Sequence, residues 1–312
     1  MKKLILSLAA ALLCFSLCSA TNPRLVKPDA TLKFASRDTC DLFLDLYQPA
    51  VGSDSAGKPT VIFVFGGGFI TGCRDDKSYD VWFKDMTDRG YRVVSIDYRL
   101  GLKGAHKVGL AQADLVNKAI HMAVEDALSA TAFLCEHAAE YGIDPARLVI
   151  SGSSAGAITS LQCEYEICNR TSYTSVLPEG FNYAGVMSFS GAVANMKGPF
   201  GFQTEPCPLL MLHGTSDKIV NYNQVAFFST GIFGSNRIVQ QLKAKNYENY
   251  WVIRYTDREH EIAGAMRYTV DIQESFMKRC IIEGKPVKVD MTVGDSYIPV
   301  FKMSNKLDDL YK

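Results

Sequence analysis

A serine hydroxyl attacks a carbonyl carbon only when a base takes its proton and donors receive the charge that develops on oxygen. The stretch VISGSSAGAI (149–158) offers Ser151, Ser153 and Ser154. Only Ser154 fits the register G-x-S-x-G, flanked by Gly152 and Gly156. Ser153 would need glycine at 151 and 155, where Ser and Ala stand; Ser151 would need it at 149, where Val stands. Two glycines let a strand turn sharply into a helix and push the central Oγ outward. Ser151 and Ser153 then read as small residues that accommodate the turn. For donors, FGGGF (65–69) lets consecutive backbone N–H groups converge on one spot. Gly67 and Gly68, with the N–H of Ala155 behind the nucleophile, form a candidate oxyanion hole. The stretch lacks the spacing of a phosphate loop, G-x-x-x-x-G-K-[ST] or G-x-G-x-x-G.

The base and its orienting acid lie further along. Asp217 falls in LHGTSDKIV (212–220), past an apolar run; His260 falls in DREHEIAG (257–264), past the next. An acid beside a histidine sets its tautomer and stabilises its protonated form. His106, His121 and His137 lie before or on a long helical stretch, and His213 reads as a structural residue at a strand end. Nucleophile, acid and base thus come in the order Ser154, Asp217, His260, the chain order of the α/β-hydrolase triad.

These residues need elements to hold them. Continuous apolar, β-branched runs occur at 60–65, 91–98, 147–151, 183–191, 208–214 and 250–256. Runs without polar alternation suit strands buried on both faces of a parallel sheet. Helical spacing fills 111–141, 155–168, 235–246 and 262–283, with Gly142 as a stop and Asp144-Pro145 opening a turn. DLFLDLYQP (41–49) alternates, as a half-exposed antiparallel strand near a sheet edge would. The expected class is α/β, with a mostly parallel central sheet and helices on both faces. Residues 21–312 read as one catalytic domain, in which about 286–312 add a strand pair or a loose extension. Residues 101–110 and 192–207 are expected to flank the pocket mouth.

Composition narrows the function. The chain has 312 residues, 47% hydrophobic and 21% charged, enough for a sizeable core. Its 33 basic and 33 acidic residues give no excess that would favour nucleic acid or an anionic membrane. MKK followed by LILSLAAALLCFSL and CSA reads as a signal peptide over 1–20, so the protein is expected to be exported, periplasmic or secreted, without a stable membrane anchor after cleavage. Of nine cysteines, Cys14 and Cys18 fall in that leader, and the seven left are odd in number, so one thiol at least has no intrachain partner. Cys163 and Cys168 suit a bridge only if their helix frays. No CxxC and no Cys/His cluster suggests a metal site.

Taken together, the chain resembles the α/β-hydrolase carboxylesterases, and more narrowly the hormone-sensitive-lipase-like and secreted carbohydrate-esterase-like members. FGGGF resembles their HGGGF oxyanion loop, IDYRL (96–100) their strand-end signature, GSSAG their elbow, HGTSDKIV their acid segment and EHE (259–261) their histidine segment. One position departs. Members usually carry a histidine before the glycines, where it supports the loop without moving protons; here Phe65 stands. Asp97 and Arg99 are expected to make structural pairs near the site. The resemblance implies carboxylic ester hydrolysis through an acyl-enzyme, with no metal or organic cofactor, on small to medium esters such as acetyl or feruloyl esters of carbohydrates. A peptidase on the same fold and a non-catalytic binding protein are the alternatives. The oligomeric state is not legible.

Overall fold

The structure is a computed structural model that describes residues 24–105, 113–227 and 230–300. The signal-peptide reading over 1–20 therefore lies outside the described residues, as do His106 and the end of the C-terminal extension.

Nine strands form one sheet in the order β1-β2-β4-β3-β5-β6-β8-β11-β12. They are β1 (Ala30–Ser36), β2 (Asp41–Tyr47), β3 (Thr60–Val64), β4 (Arg92–Ile96), β5 (Leu148–Ser153), β6 (Gly185–Phe189), β8 (Leu209–Gly214), β11 (Tyr250–Tyr255) and β12 (Val289–Val293). Every pairing from β4 to β12 is parallel, while β2 runs antiparallel to both β1 and β4. The continuous apolar runs are the central strands: β3, β5, β6 and β8 are buried along their whole length. β2 keeps one exposed and one half-buried residue, Asp41 and Phe43, but β1 lies outside it and forms the actual edge.

Helices cover both faces of the sheet. They are α1 (Asp80–Asp88), α2 (Ala113–Glu136), the single turn α3 (Ala138–Tyr141), α4 (Ala155–Cys168), α5 (Ser235–Ala244) and α6 (Val270–Phe276). The stretch expected as one helix to 141 is interrupted at His137 and stops at Gly142, whose φ of 65° is left-handed. Asp144 then caps the turn 145–147 with its side chain. The helix expected over 262–283 is three pieces: a 3-10 segment His260–Tyr268, then α6, then a wide π-type turn Met277–Ile282.

Three features depart from the sequence-based expectation. α1 is one. A second sheet, β7 (Ala192–Asn195), β10 (Thr230–Gly234) and β9 (Gln224–Phe227), is another, and it occupies part of what reads as loop between β6 and α5. The C-terminal extension contributes the single parallel strand β12 against β11, not a strand pair. The DYRL pairs are structural. Arg74 bridges Asp97 at 2.8 Å and Asp45 at 3.2 Å, and Arg99 holds the buried Asp126 of α2 at 2.8 Å. All seven cysteines among the described residues are free, and α4 runs unfrayed through Cys163 to Cys168.

The strand order explains where a site can form. The chain steps from β3 to β4 on one side and later returns to β5 on the other. Loops leaving β3 and β5 therefore diverge and leave a crevice at the carboxyl ends of these two strands, where open α/β sheets bind their ligands.

Candidate active site

The loop after β5 places Ser154 at that crevice. Its backbone stands at φ 52°, ψ −115°, a sparsely populated conformation for a residue with a Cβ. The turn is held there by the Ser154 N–H, which donates to Phe189 O at the end of β6 (2.9 Å). Its glycines serve close approach. A Cβ on Gly156 would lie 1.9 Å from Val64 O, and one on Gly152 would lie 2.2 Å from the Gly156 carbonyl carbon. Strand and helix thus cross with no room for a side chain, and Ser154 is left half-buried and facing the crevice.

The acid and base come from two loops laced together. β8 and β11 are paired through Gly214 and Tyr255. Beyond that register Thr215 N donates to Tyr255 O (3.0 Å) and Ser216 N to Arg258 O (2.9 Å). A Cβ on Gly214 would meet Arg258 O at 2.3 Å, so the two loops run in contact. The lacing brings Asp217 Oδ2 to 2.7 Å from His260 Nδ1, and His260 Nε2 to 2.7 Å from Ser154 Oγ. Asp217 and His260 are both buried. An ionised carboxylate only accepts, so Nδ1 carries the imidazole proton and Nε2 presents a lone pair to the serine hydroxyl. Asp217 Oδ1 also accepts from Ile219 N (2.9 Å) and Val220 N (3.0 Å). Burial alone would raise the Asp217 carboxyl; hydrogen bonds from His213 and His260 outweigh it and hold the group well below the ordinary carboxylate range.

His260 opens the 3-10 segment and is not in a free loop. Its turn is braced by Arg258, which pairs with the buried Glu261 at 2.6 Å and donates to Ser296 O and Ile298 O. The C-terminal extension thus holds the histidine turn as well as adding β12.

Opposite the serine runs the triple-glycine loop. Gly67 (φ 124°) is obligatory, since a Cβ there would stand 2.1 Å from Thr71 O. Gly67 O accepts from Ile70 N (3.0 Å) and Thr71 N (3.1 Å), and the Gly66 N–H donates to Tyr79 Oη (3.1 Å). The N–H groups of Gly67 and Gly68 have no acceptor among the described residues. Phe65, directly before the glycines, is buried and stacks on Tyr98 with centroids 4.3 Å apart; Tyr98 Oη donates to Phe65 O (3.0 Å). Aromatic packing supports the loop in this chain.

These groups share a cavity of about 490 Å³. Its lining includes Gly66, Gly67, Ser154 and His260, together with Tyr79, Trp82, Ala263, Met266 and Arg267. Residues 101–105 and 192–207, expected at the mouth, do not line it, while 106–110 lie outside the described residues. Residues 192–195 form β7 of the three-stranded sheet, while Asp76, Ser78 and Tyr79 before α1 and Trp82 within it line the cavity. The signal for α1 was present: Tyr79, Trp82, Phe83 and Met86 follow helical spacing after Asp76, which caps the preceding turn. Ser153 is more than a small residue, because its Oγ donates to Ala263 O at 2.8 Å and ties the elbow to the histidine segment. Ser151 Oγ is buried and has no hydrogen-bond partner among the described residues.

The Thermogutta terrifontis esterase 2 in its apo form superposes with a TM-score of 0.54 at 18% identity, covering 82% of this chain and 96% of that one. This chain has the α/β-hydrolase fold. The BD-FAE family model matches residues 44–194 of this chain, from β2 through β7, which includes the glycine loop and Ser154 and stops before Asp217. A probable isoprenylcysteine alpha-carbonyl methylesterase of Arabidopsis thaliana is 36% identical over 118 residues, 36% of this chain and 20% of that protein. Esterase LipI of Mycobacterium tuberculosis is 32% identical over 117 residues, 36% of this chain and 30% of that protein. The chain thus spans a minor part of the length of the curated relatives it matches. Among its described residues no helix is long and apolar enough to cross a membrane.

Proposed function

We propose that this protein is an exported serine esterase that cleaves small to medium carboxylic esters through an acyl-enzyme. The observation that carries the reading is the continuous hydrogen-bonded line Ser154–His260–Asp217, 2.7 Å at each step, opening into a cavity. In the first step His260 Nε2 accepts the Ser154 proton as Oγ bonds to the ester carbonyl carbon. The carbonyl oxygen takes the electron pair, and the N–H groups of Gly67, Gly68 and Ala155 receive its charge. The tetrahedral centre collapses, His260 returns the proton to the departing alkoxide, and alcohol leaves. Water, deprotonated by the same imidazole, then releases the acid and restores the serine. Asp217, kept ionised, stabilises the imidazolium in both halves.

Acetyl and feruloyl esters of carbohydrates are the finer expectation. The aromatic wall of Tyr79 and Trp82 and a cavity of about 490 Å³ suit an acyl group of that size range. The apolar leader at 1–20 supports export.

The test uses the mature protein and a short p-nitrophenyl ester. Ser154→Ala is expected to abolish turnover and labelling by a fluorophosphonate. Ser153→Ala is expected to keep substantial turnover, lowered because Ala263 O loses its donor. Equal loss in both variants, or labelling that survives Ser154→Ala, overturns the assignment. A panel of acyl and alcohol groups then ranks the substrates.

A further inference from the structure

A second histidine stands behind the acid. His213, at the end of β8, is fully buried and belongs to no step of the proposed reaction. Its Nε2 lies 2.9 Å from Val220 O and 3.4 Å from Asp217 Oδ2. Both oxygens only accept, so Nε2 must carry the proton and shares it between them. Nδ1 is then a lone pair, and Ser235 Oγ, 2.8 Å away on α5, donates to it. The imidazole is held as one neutral tautomer with its N–H turned toward the oxygen that His260 also uses.

We propose that His213 is a positioning residue of this site: its Nε2–H holds Asp217 Oδ2 in place and takes up part of that oxygen's lone-pair density. The proposal rests on the serine-esterase reading. A carboxylate oxygen with two donors attracts each less than it would attract one alone. Asp217 therefore orients His260 through an oxygen that a second imidazole also approaches. Val220 O, bonded to the same Nε2, also closes the loop that carries Asp217.

The other charged and titratable groups around the pair have their own partners or stand at the cavity. On β11, Arg254 faces Tyr222 Oη and Asp290, and the Tyr222 ring stands edge-on to His213 at 5.5 Å. Beside His260, Arg258 is paired with Glu261, while Asp76, Tyr79 and Arg267 line the cavity. Of these groups, the Tyr222 ring alone packs against His213.

The pH profile of kcat/KM separates this role from plain support. His213→Leu removes the donor; His213→Gln places an amide N–H near the position of Nε2. The acidic limb is expected to move to higher pH by about half to one unit in His213→Leu and to return toward wild type in His213→Gln. Structural damage alone would lower kcat without moving the limb. If both variants keep the wild-type limb, the proposal fails. Should His213→Leu not fold, ¹⁵N spectra of the histidine-labelled wild-type protein still decide: the Nε2–H tautomer at His213 supports the role, and the Nδ1–H tautomer refutes it. Absence of ester turnover in the wild type would instead count against the esterase reading, and the tautomer measurement does not depend on turnover.

Discussion

Ser154 carries backbone strain that its two simplest replacements should separate. At φ 52°, ψ −115° a side chain at this position is unfavourable by roughly 1–3 kcal/mol. Ser154→Ala keeps the Cβ and so keeps the strain. Ser154→Gly removes it, but glycine adds unfolded-state entropy of about 0.5–1 kcal/mol. Both variants lose the Oγ hydrogen bond to His260, so that loss cancels between them. The glycine variant should therefore be more stable than the alanine variant by about 1 kcal/mol. In a regular helix the order is reversed, and the same pair of substitutions at Ser160, inside α4, provides that control. Denaturant unfolding reads the difference directly, and in Tm it corresponds to about 2–4 °C for a domain of this size. Both Ser154 variants should be inactive. If Ser154→Gly is equal to or less stable than Ser154→Ala, the elbow is not strained and the case for an outward-pressed nucleophile loses its physical basis.

Two further perturbations probe the surroundings. Gly67→Ala puts a Cβ 2.1 Å from Thr71 O at a positive φ, so the loop must shift; kcat should fall about a hundredfold while KM changes little, and wild-type kcat would exclude Gly67 from the oxyanion hole. Burial raises the carboxyl of Glu164 in α4 above its usual value of 4.5, although hydrogen bonds from Cys207 N and Cys168 oppose the shift. For an acid raised in the folded state, stability declines as pH climbs from about 4.5 through the raised value. Glu164→Gln should accordingly gain stability relative to wild type at pH 7 and none at pH 4; a stability difference from wild type that is no larger at pH 7 than at pH 4 would contradict the sign.

Legibility followed the range of the interactions. β3, β5, β6 and β8 were readable because strands buried on both faces must be apolar along their length. Ser154 was readable because the close crossing of strand and helix dictates its two glycines. α1 carries a fainter mark, because Tyr79, Trp82, Phe83 and Met86 repeat at helical spacing from the N-cap through a helix of only nine residues. The second sheet had no comparable mark, since β7, β9 and β10 are short and pair across distant parts of the chain.

The order of Ser154, Asp217 and His260, each beyond a buried strand, can be read from the residues alone, because the rule that sites form at strand carboxyl ends is local in the chain. What surrounds them depends on contacts between distant segments. Phe65 supports the glycine loop by stacking on Tyr98, Ser153 ties the elbow to Ala263, and Arg258 draws the C-terminal extension onto the histidine turn. His213 acquires an N–H facing Asp217 only once Val220 and Ser235 have fixed its ring. A hydrogen bond depends on distance and angle in space, and no spacing along the chain encodes those; the sequence supplies the reacting groups, and the tertiary structure decides which neighbours tune them.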